Sequence, residues 1–398
     1  MDILQIAPWF PPSPENTGSG VVRVVYNVSK ELAKRGHNVT LYAGSSATGT
    51  ASREQTRRGD GPVVVDGIRV FYFPYSLSYD LFYFTPQMIP YIKKNIEAFD
   101  VAHLHDVRCF QSIIAHRYAK KNGVPYVLQL HGSYLGTFGG NKLKWLLDKA
   151  ASLRTLRDAS RVIALTKTEA AYYKQNGVAD EKIDLMGNGI DFSKYKQPLI
   201  RGRFREKFGI SNEELVVLYV GRIASTKGLD LLVEAFSDLT NHLEAVRLVL
   251  VGKDYHGYES TLKKRVRDLR IEDCCLFTGL IDESNKIDAY VDADVFVTPC
   301  FTGFPLTFLE SCACGTPIIT TRCGESIDWI DGFVGYVTDY SKKELAEAIA
   351  AILCDDQTRE RFRDNCRTLA QRFAWPSVVD KIEETYRRAA GNQQQLLD

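Results

Sequence analysis

Short, nearly unbroken apolar runs alternate with amphipathic stretches along the chain. In the first half, DILQIA (2–7), NVTLY (38–42), IRVFYFP (68–74), VAHLH (101–105), VPYVLQL (124–130), VIAL (162–165) and IDLMGNGIDF (183–192) are such runs. Runs of this length, bounded by turn residues and apolar throughout, are expected of strands buried on both faces, as in a parallel sheet. Between the first two lies a stretch with Val24, Val25, Val28 and Leu32 at helical spacing, ended by Gly36. That pattern predicts a helix over about 21–34 with a glycine C-cap. Residues 44–62 are polar and rich in Gly, Ser and Thr, and read as a loop. The aromatic-rich segment 72–91 reads as core packing, with a stacking surface for an acceptor as the rival.

The pattern stops at 193–212, a polar, basic stretch containing Pro198 and Gly202, and then starts again. LVVLYVG (215–221), RLVLVG (247–252), CLFTGL (275–280), VFVT (295–298), PIIT (317–320) and VGYVT (334–338) are the strands of the second half. Helical patterns over 229–239, 258–269, 282–291 and 306–313 separate them, and a helical stretch from 342 to the end is interrupted at Pro376. Strand–helix alternation repeated twice predicts an α/β protein of two doubly wound, Rossmann-like parallel-sheet domains. The expected domains are 1–195 and 196–376, with a final helix over about 377–398 returning to the first. Ligands of such sheets bind at the carboxyl ends of the strands, and with two domains the cleft they face across is the expected place.

Composition narrows the function classes. The 398 residues are 45% apolar and 25% charged, as in a globular chain, and the net charge of +1 speaks against a dedicated nucleic-acid binder. Nine cysteines without a CxxC pair read as reduced thiols, which places the chain in the cytoplasm. The opening MDILQIAPWFPP is too short for a signal peptide or a membrane span, so any membrane contact, at the inner face, is expected to be peripheral. Residues 141–161 set Lys142, Lys144, Lys149, Arg154, Arg157 and Arg161 around an apolar stripe with Trp145. That is either a surface helix over the sheet or a basic amphipathic helix on an anionic membrane.

The candidate chemistry sits largely in 292–321, DADVFVTPCFTGFPLTFLESCACGTPIITT. Strand, loop and short helix place free N–H groups and a positive dipole where a phosphate fits. Glu310, about one turn into that helix, is placed to accept hydrogen bonds from ribose hydroxyls. Asp292-Ala293-Asp294 is a D-x-D, but it precedes the strand, away from the ligand end, and reads as structural. In the first half, Gly18-Ser19-Gly20 opens the first helix without forming GxGxxG; it is either a tight turn or a loop that lets a ligand approach. His103 and His105 share a strand face and read as buried, hydrogen-bonded histidines, with a metal pair as the rival. His131-Gly132 follows the carboxyl end of a strand, a place suited to a ligand.

With Gly18-Ser19-Gly20 followed by Gly36-His37, His131-Gly132, Asn188-Gly189-Ile190-Asp191, Gly221-Arg222 with Lys227-Gly228, the GFPLTFLESCACGTPII block and Gly324-Glu325, in this order, the chain resembles glycosyltransferase family 4, retaining enzymes of the GT-B fold. The resemblance implies a hexosyltransferase that uses a UDP- or GDP-sugar and a glycan or lipid-linked acceptor, in polysaccharide, glycolipid or protein-glycan biosynthesis. It implies that Arg222 and Lys227 bind the pyrophosphate and stabilise the leaving charge, and that Glu310 binds the ribose. Gly20 would approach the donor phosphate, and His131 would contact the donor sugar or orient the acceptor. Leu280 and Ile281 would border the base, and Thr302, Phe304 and Leu306 would belong to the donor loop. Transfer would need no protein nucleophile and no metal. The family carries two glutamates eight positions apart; Glu310 is the second, and Thr302 stands in place of the first. Two alternatives therefore stay open: a catalytically silent nucleotide-binding protein, and a sugar-nucleotide epimerase of the same fold.

Overall fold

The apolar runs become the strands of two parallel sheets. The structure, a computed structural model, describes all residues except 13, 15–18, 46–60, 80–81, 134–150, 196–198, 302, 324–327 and 398. In the first half the strands are β1 (Asp2–Ala7), β2 (Asn38–Ser45), β3 (Val63–Val65), β4 (Ile68–Pro74), β5 (Leu77–Tyr79), β6 (Phe82–Phe84), β7 (Val101–His105), β8 (Tyr126–Gln129), β9 (Arg161–Ala164) and β10 (Ile183–Leu185). The eight-stranded sheet runs β10-β9-β8-β7-β1-β2-β4-β3, and β5 and β6 form a separate hairpin. Only β3 is antiparallel to its neighbour; in the rest, Ile3 lies beside both Val39 and Val101.

Two helices close one face of this sheet. Gly20–Lys34 contributes Val24, Val25, Val28 and Leu32, and the last helix, Trp375–Leu397, contributes Val379, Ile382 and Tyr386 to the same core. Each fully buried Val or Ile there is worth about 1.5–3 kcal/mol over an exposed one. The last helix thus belongs to the first compact unit, residues 1–188 with 375–398; the second is 189–374. The sequence places the change at 195/196, whereas the units divide at 188/189, just after the short β10. Pro376 does not interrupt a helix. It occupies the first turn of the last one, where a missing N–H costs nothing.

Segments to which the sequence pattern assigns no element hold strands. Asp66 and Gly67 have φ of 49° and 81°, which makes them the turn between β3 and β4. Asp-Gly between apolar runs is a hairpin signal. The aromatic segment supplies β5 and β6, and only part of it is core: among its described aromatics Phe73 is buried and meets Tyr42 edge-on at 5.5 Å between ring centroids, Tyr72, Tyr75 and Tyr83 are half-buried, and Phe84 and Tyr91 are exposed.

The second unit has β11 (Leu215–Val220), β12 (Val246–Val251), β13 (Cys275–Gly279), β14 (Val295–Thr298), β15 (Ile318–Thr321) and β16 (Gly335–Thr338). They run β13-β12-β11-β14-β15-β16, all parallel. Leu232, Phe236, Ile349 and Phe362 pack on Val217 and Leu248 beneath them. The chain steps from β11 outward to β13, returns to β14 and steps out the other way. The crevice of this sheet therefore opens between the carboxyl ends of β11 and β14.

Candidate functional site

Val217 pairs with Val295 and Leu218 with Phe296, so the loops after β11 and β14 leave the sheet side by side. The backbone N–H of Cys300 donates to the carbonyl of Lys227 at 3.3 Å and ties the two loops together. The first loop is braced on its other side. Gly221 N–H donates to Val251, and Ile223 N–H to Lys253, at 2.9 and 3.0 Å. The Tyr219 hydroxyl donates to the Arg222 carbonyl at 2.9 Å. Gly252 has φ of 154°, and a Cβ there would sit 1.7 Å from the Gly221 oxygen. Only glycine permits this approach of the two loops.

Two cations meet in this crevice. Arg222 is exposed, its guanidinium 4.9 Å from the centre of the Tyr255 ring, and Lys227 is half-buried. Burial, and then the charge of Arg222, lower the Lys227 ammonium below its usual pKa; the Cys300 and Cys323 thiols oppose this weakly. Those two sulfurs lie 2.7 Å apart, and burial first, then the neighbouring Cys323, push the Cys300 thiol up to about 12. Among the described residues no carboxylate pairs with Arg222 or Lys227. Beside them, the helix Leu306–Cys314 begins at Pro305 without a side-chain cap. The Phe308 N–H donates to the Pro305 carbonyl at 3.2 Å, and the two N–H groups before it, of Leu306 and Thr307, are the ones available to an anion. Two unneutralised cations and an uncapped helix start form a receptor for a multiply charged anion.

The other expected donor residues surround this point unevenly. Leu306 opens the helix and is half-buried, while Phe304 is buried against Trp329 and Phe373, with ring centroids at 5.9 and 5.5 Å. Glu310 is 1% exposed; its oxygens accept from Lys286 at 3.0 Å and from the Tyr290 hydroxyl at 3.4 Å. The Lys286 partner is not visible as a motif, since it comes from the preceding helix, Glu283–Asp292. Leu280 and Ile281 follow β13, and Leu280 is 77% exposed, a large apolar side chain left open at the ligand end of the sheet. Thr302 lies outside the described residues.

The D-x-D carboxylates are engaged at the opposite end of β14. Asp292 accepts from the backbone N–H groups of Gly202, Phe204 and Arg205 and so caps the helix Arg203–Phe208. Asp294 meets Arg201 at 2.6 Å, Arg205 at 3.2 Å and the Val216 N–H at 2.8 Å. Among the described residues no group of three His, Cys, Asp or Glu side chains is arranged to hold a metal.

In the first unit, His131 and Gly132 follow β8 with φ of 56° and 82°. A non-glycine residue in the left-handed region is held there by its surroundings. The brace is Glu169, which accepts from the Gly132 N–H at 3.1 Å and from the Leu165 N–H at 2.6 Å. His131 Nε2 lies 2.9 Å from His105 Nδ1, and His105 Nε2 lies 2.7 Å from the Gln5 amide oxygen. Gln5 donates to the Tyr386 hydroxyl at 3.0 Å, and that hydroxyl lies 2.7 Å from His103 Nδ1. Burial lowers His103 and His131 to about 3, and His105 likewise falls well below its usual value, so all three rings are neutral near pH 7. His103 and His105 are thus the buried, hydrogen-bonded pair that their strand face suggests. Gly20 starts the first helix, and nothing lies within 4 Å of where its Cβ would be.

The sequence model of Glycosyltransferase Family 4 matches residues 18–194, and that of Glycosyl transferases group 1 matches residues 200–369. A glycosyltransferase of Methanocaldococcus jannaschii is 24% identical over 254 residues, 62% of this chain and 63% of its own length. D-inositol 3-phosphate glycosyltransferase of Pseudarthrobacter chlorophenolicus is 30% identical over 242 residues, 59% of this chain and 57% of its own. The matched part of this chain thus spans less than two thirds of either relative. The structure of Anabaena HepE, solved in complex with UDP, superposes with a TM-score of 0.76 at 19% identity, covering 97% of this chain and 99% of that one. That likeness extends over both sheets and shows that the fold is GT-B. With one family model on each unit and the sheet order of both halves in place, the chain belongs to glycosyltransferase family 4.

Proposed function

We propose that this protein is a retaining hexosyltransferase that takes its sugar from a UDP- or GDP-sugar and passes it to a glycan or lipid-linked acceptor. The observation that carries the reading is the cation pair Arg222 and Lys227, without a carboxylate partner among the described residues and next to an uncapped helix start. A diphosphate ester supplies the missing negative charge, and its charge grows as the sugar–phosphate bond breaks. Both side chains then bind the leaving group more strongly in the transition state than in the ground state. Arg222 offers a two-pronged fork and Lys227 a point charge. The exposed Leu280 borders the base, and Glu310 shares its oxygens between Lys286 and the ribose. The acceptor hydroxyl attacks on the face the phosphate leaves, and its proton passes to the phosphate, so no protein nucleophile is used. With two cations holding the diphosphate, Asp292 occupied by backbone N–H groups and Asp294 by arginines, no metal is needed.

The same reading bears on location. Among the described residues no helix is long and apolar enough to cross a membrane. The proposed peripheral contact at the cytoplasmic face through 141–161 rests on its sequence pattern alone, and residues up to 150 of it lie outside the described part. Nucleotide release from a panel of UDP-, GDP- and ADP-sugars, with and without lipid extract, tests the whole reading. Release from one donor identifies base and sugar together, and stimulation by lipid identifies a lipid-linked acceptor. Threonine at 302 favours a second reading, binding without turnover. That reading predicts donor binding with no release, and turnover gained by Thr302→Glu.

Gly20→Ala separates ligand approach from packing. Since, among the described residues and apart from its chain neighbours and its own helix backbone, no atom lies within 4 Å of the added methyl group, thermal stability is expected to stay within about 1 kcal/mol of the parent. If the first loop closes on the donor phosphate, the methyl group excludes it, and kcat/KM falls about tenfold or more. Unchanged kinetics would assign Gly20 to the turn alone.

A further inference from the structure

We infer that Tyr386 of the last helix sets the tautomer of His131 through Gln5 and His105, and that these three are positioning residues for the sugar transfer. The hydrogen bonds from His103 to His131 form one chain, with distances of 2.7, 3.0, 2.7 and 2.9 Å. With the Gln5 amide nitrogen toward Tyr386, as it stands in the structure, its direction follows from what each atom is able to do. The Gln5 amide nitrogen donates to the Tyr386 oxygen, which leaves the Gln5 carbonyl oxygen facing His105. A carbonyl oxygen only accepts, so His105 carries its hydrogen on Nε2. His105 is fully buried and its ring neutral, so its Nδ1 is bare and must receive a hydrogen from His131 Nε2. His131 is then left with a bare Nδ1, an acceptor for a hydroxyl group. Tyr386, having accepted from Gln5, gives its own hydrogen to His103 Nδ1.

The four bonds therefore run one way, from His131 inward to His103. Turning over the Gln5 amide would reverse every donor and acceptor and convert the outer nitrogen of His131 from acceptor to donor. The Tyr386 hydroxyl, on a helix 381 residues away in sequence, both donates and accepts, so it couples the Gln5 amide to the tautomer of His103 and keeps the whole chain running in one sense at a time. A pair of rings in contact adds rigidity: His105 and His131 stack at 5.2 Å between centroids with 19° between planes. The inference rests on His131 meeting a sugar hydroxyl, as the proposed function has it. An acceptor nitrogen at that point orients a hydroxyl by taking its hydrogen, and a donor nitrogen would turn it around.

The test is the tautomer itself, read by long-range proton–nitrogen correlation on full-length protein labelled with ¹⁵N at histidine. His131→Asn assigns the signals. The wild type should show His131 protonated at Nε2 and bare at Nδ1. In Tyr386→Phe, which keeps the ring and loses only the hydroxyl, His131 should become a mixture of tautomers, and Gln5→Met should do the same. In both variants kcat should fall about tenfold with the donor KM nearly unchanged, the pattern of a weakened transition-state contact. Ile382→Val, a packing change in the same helix, should alter neither. A single unchanged tautomer in both Tyr386→Phe and Gln5→Met, or a His131 protonated at Nδ1 in the wild type, would overturn the inference. A shifted tautomer in an enzyme whose kcat is unmoved would overturn the positioning role. A shifted tautomer in a protein that turns over no sugar nucleotide would leave the relay standing and defeat the proposed function instead.

Discussion

Arg222→Ala is expected to lower turnover of the sugar nucleotide by about 10²–10³-fold, and Lys227→Ala by a similar factor, the cost of removing one preorganised charge from a developing oxyanion. Neither change should weaken the fold. Arg222 is exposed and among the described residues pairs with no carboxylate, so its removal loses the contact with the Tyr255 ring, about 0.5–1 kcal/mol. Lys227 goes further, because its folded-state pKa is below the unfolded one. The fold disfavours the protonated ammonium, and that cost is fully present at every pH below the folded pKa. Lys227→Met should therefore raise the melting temperature while activity collapses, a separation that a merely structural lysine would not show. Arg222→Lys tests the fork: it keeps the charge, loses the paired donors and should recover only part of the rate. Nucleoside diphosphate should raise the melting temperature of the parent with the logarithm of its concentration above Kd, and much less that of a variant carrying both Arg222→Ala and Lys227→Ala. Activity and melting curves on one protein preparation check all four statements. Turnover within threefold of the parent in both alanine variants would remove the cation pair from the chemistry.

What was legible in the sequence followed from the architecture. Strands of a parallel sheet are buried on both faces, so β11, β12 and β14 stand out as apolar runs whatever surrounds them. Gly315, with φ of 75°, marks the end of the helix after β14 as a glycine C-cap should. Sites at the carboxyl ends of such strands are then a matter of counting along the chain, which is how His131 is picked out, whereas Arg222 and Lys227 are picked out by the resemblance to the family. Two kinds of feature were hidden. Short antiparallel elements such as β3 and the β5–β6 hairpin carry three residues each, too few for periodicity to register, although Asp66-Gly67 held the turn signal. Long-range polar partners leave no local trace at all. Nothing near Gln5 points to Tyr386, and nothing near Glu310 points to Lys286, because each pair is brought together by helix packing. Pro376 shows a third limit: a proline within a helical pattern marks either a break or a first turn, and only the neighbouring contacts decide which.

Asp294→Ala is expected to destabilise the second unit by about 3–5 kcal/mol, the cost of stripping one partner from a buried ion pair. At 2–4 °C per kcal/mol for a unit of this size, the melting temperature should fall by roughly 10 °C. The side chain is 2% exposed and stands among Arg201, Arg205 and Arg363 at 2.6, 3.2 and 3.5 Å. Burial already lowers the pKa of Arg205 and of Arg363, and the carboxylate is what holds their charges in place. Without it, two almost fully buried guanidinium groups remain, and the Val216 N–H loses its acceptor at the start of β11. Asp294→Asn should rescue only in part, since one amide oxygen still accepts from Val216 or an arginine while the NH₂ group faces a donor it cannot satisfy. A metal ligand would behave differently on every count. Its loss would abolish turnover with little change in melting, excess divalent cation would restore activity, and a chelator would silence the parent enzyme. The structural role predicts a large melting shift, no rescue by cations and chelator-insensitive turnover in the parent. Calorimetry of the three proteins, with turnover measured well below the lowered melting point with and without chelator, decides between the two, and a variant that melts with the parent would return Asp294 to the chemistry.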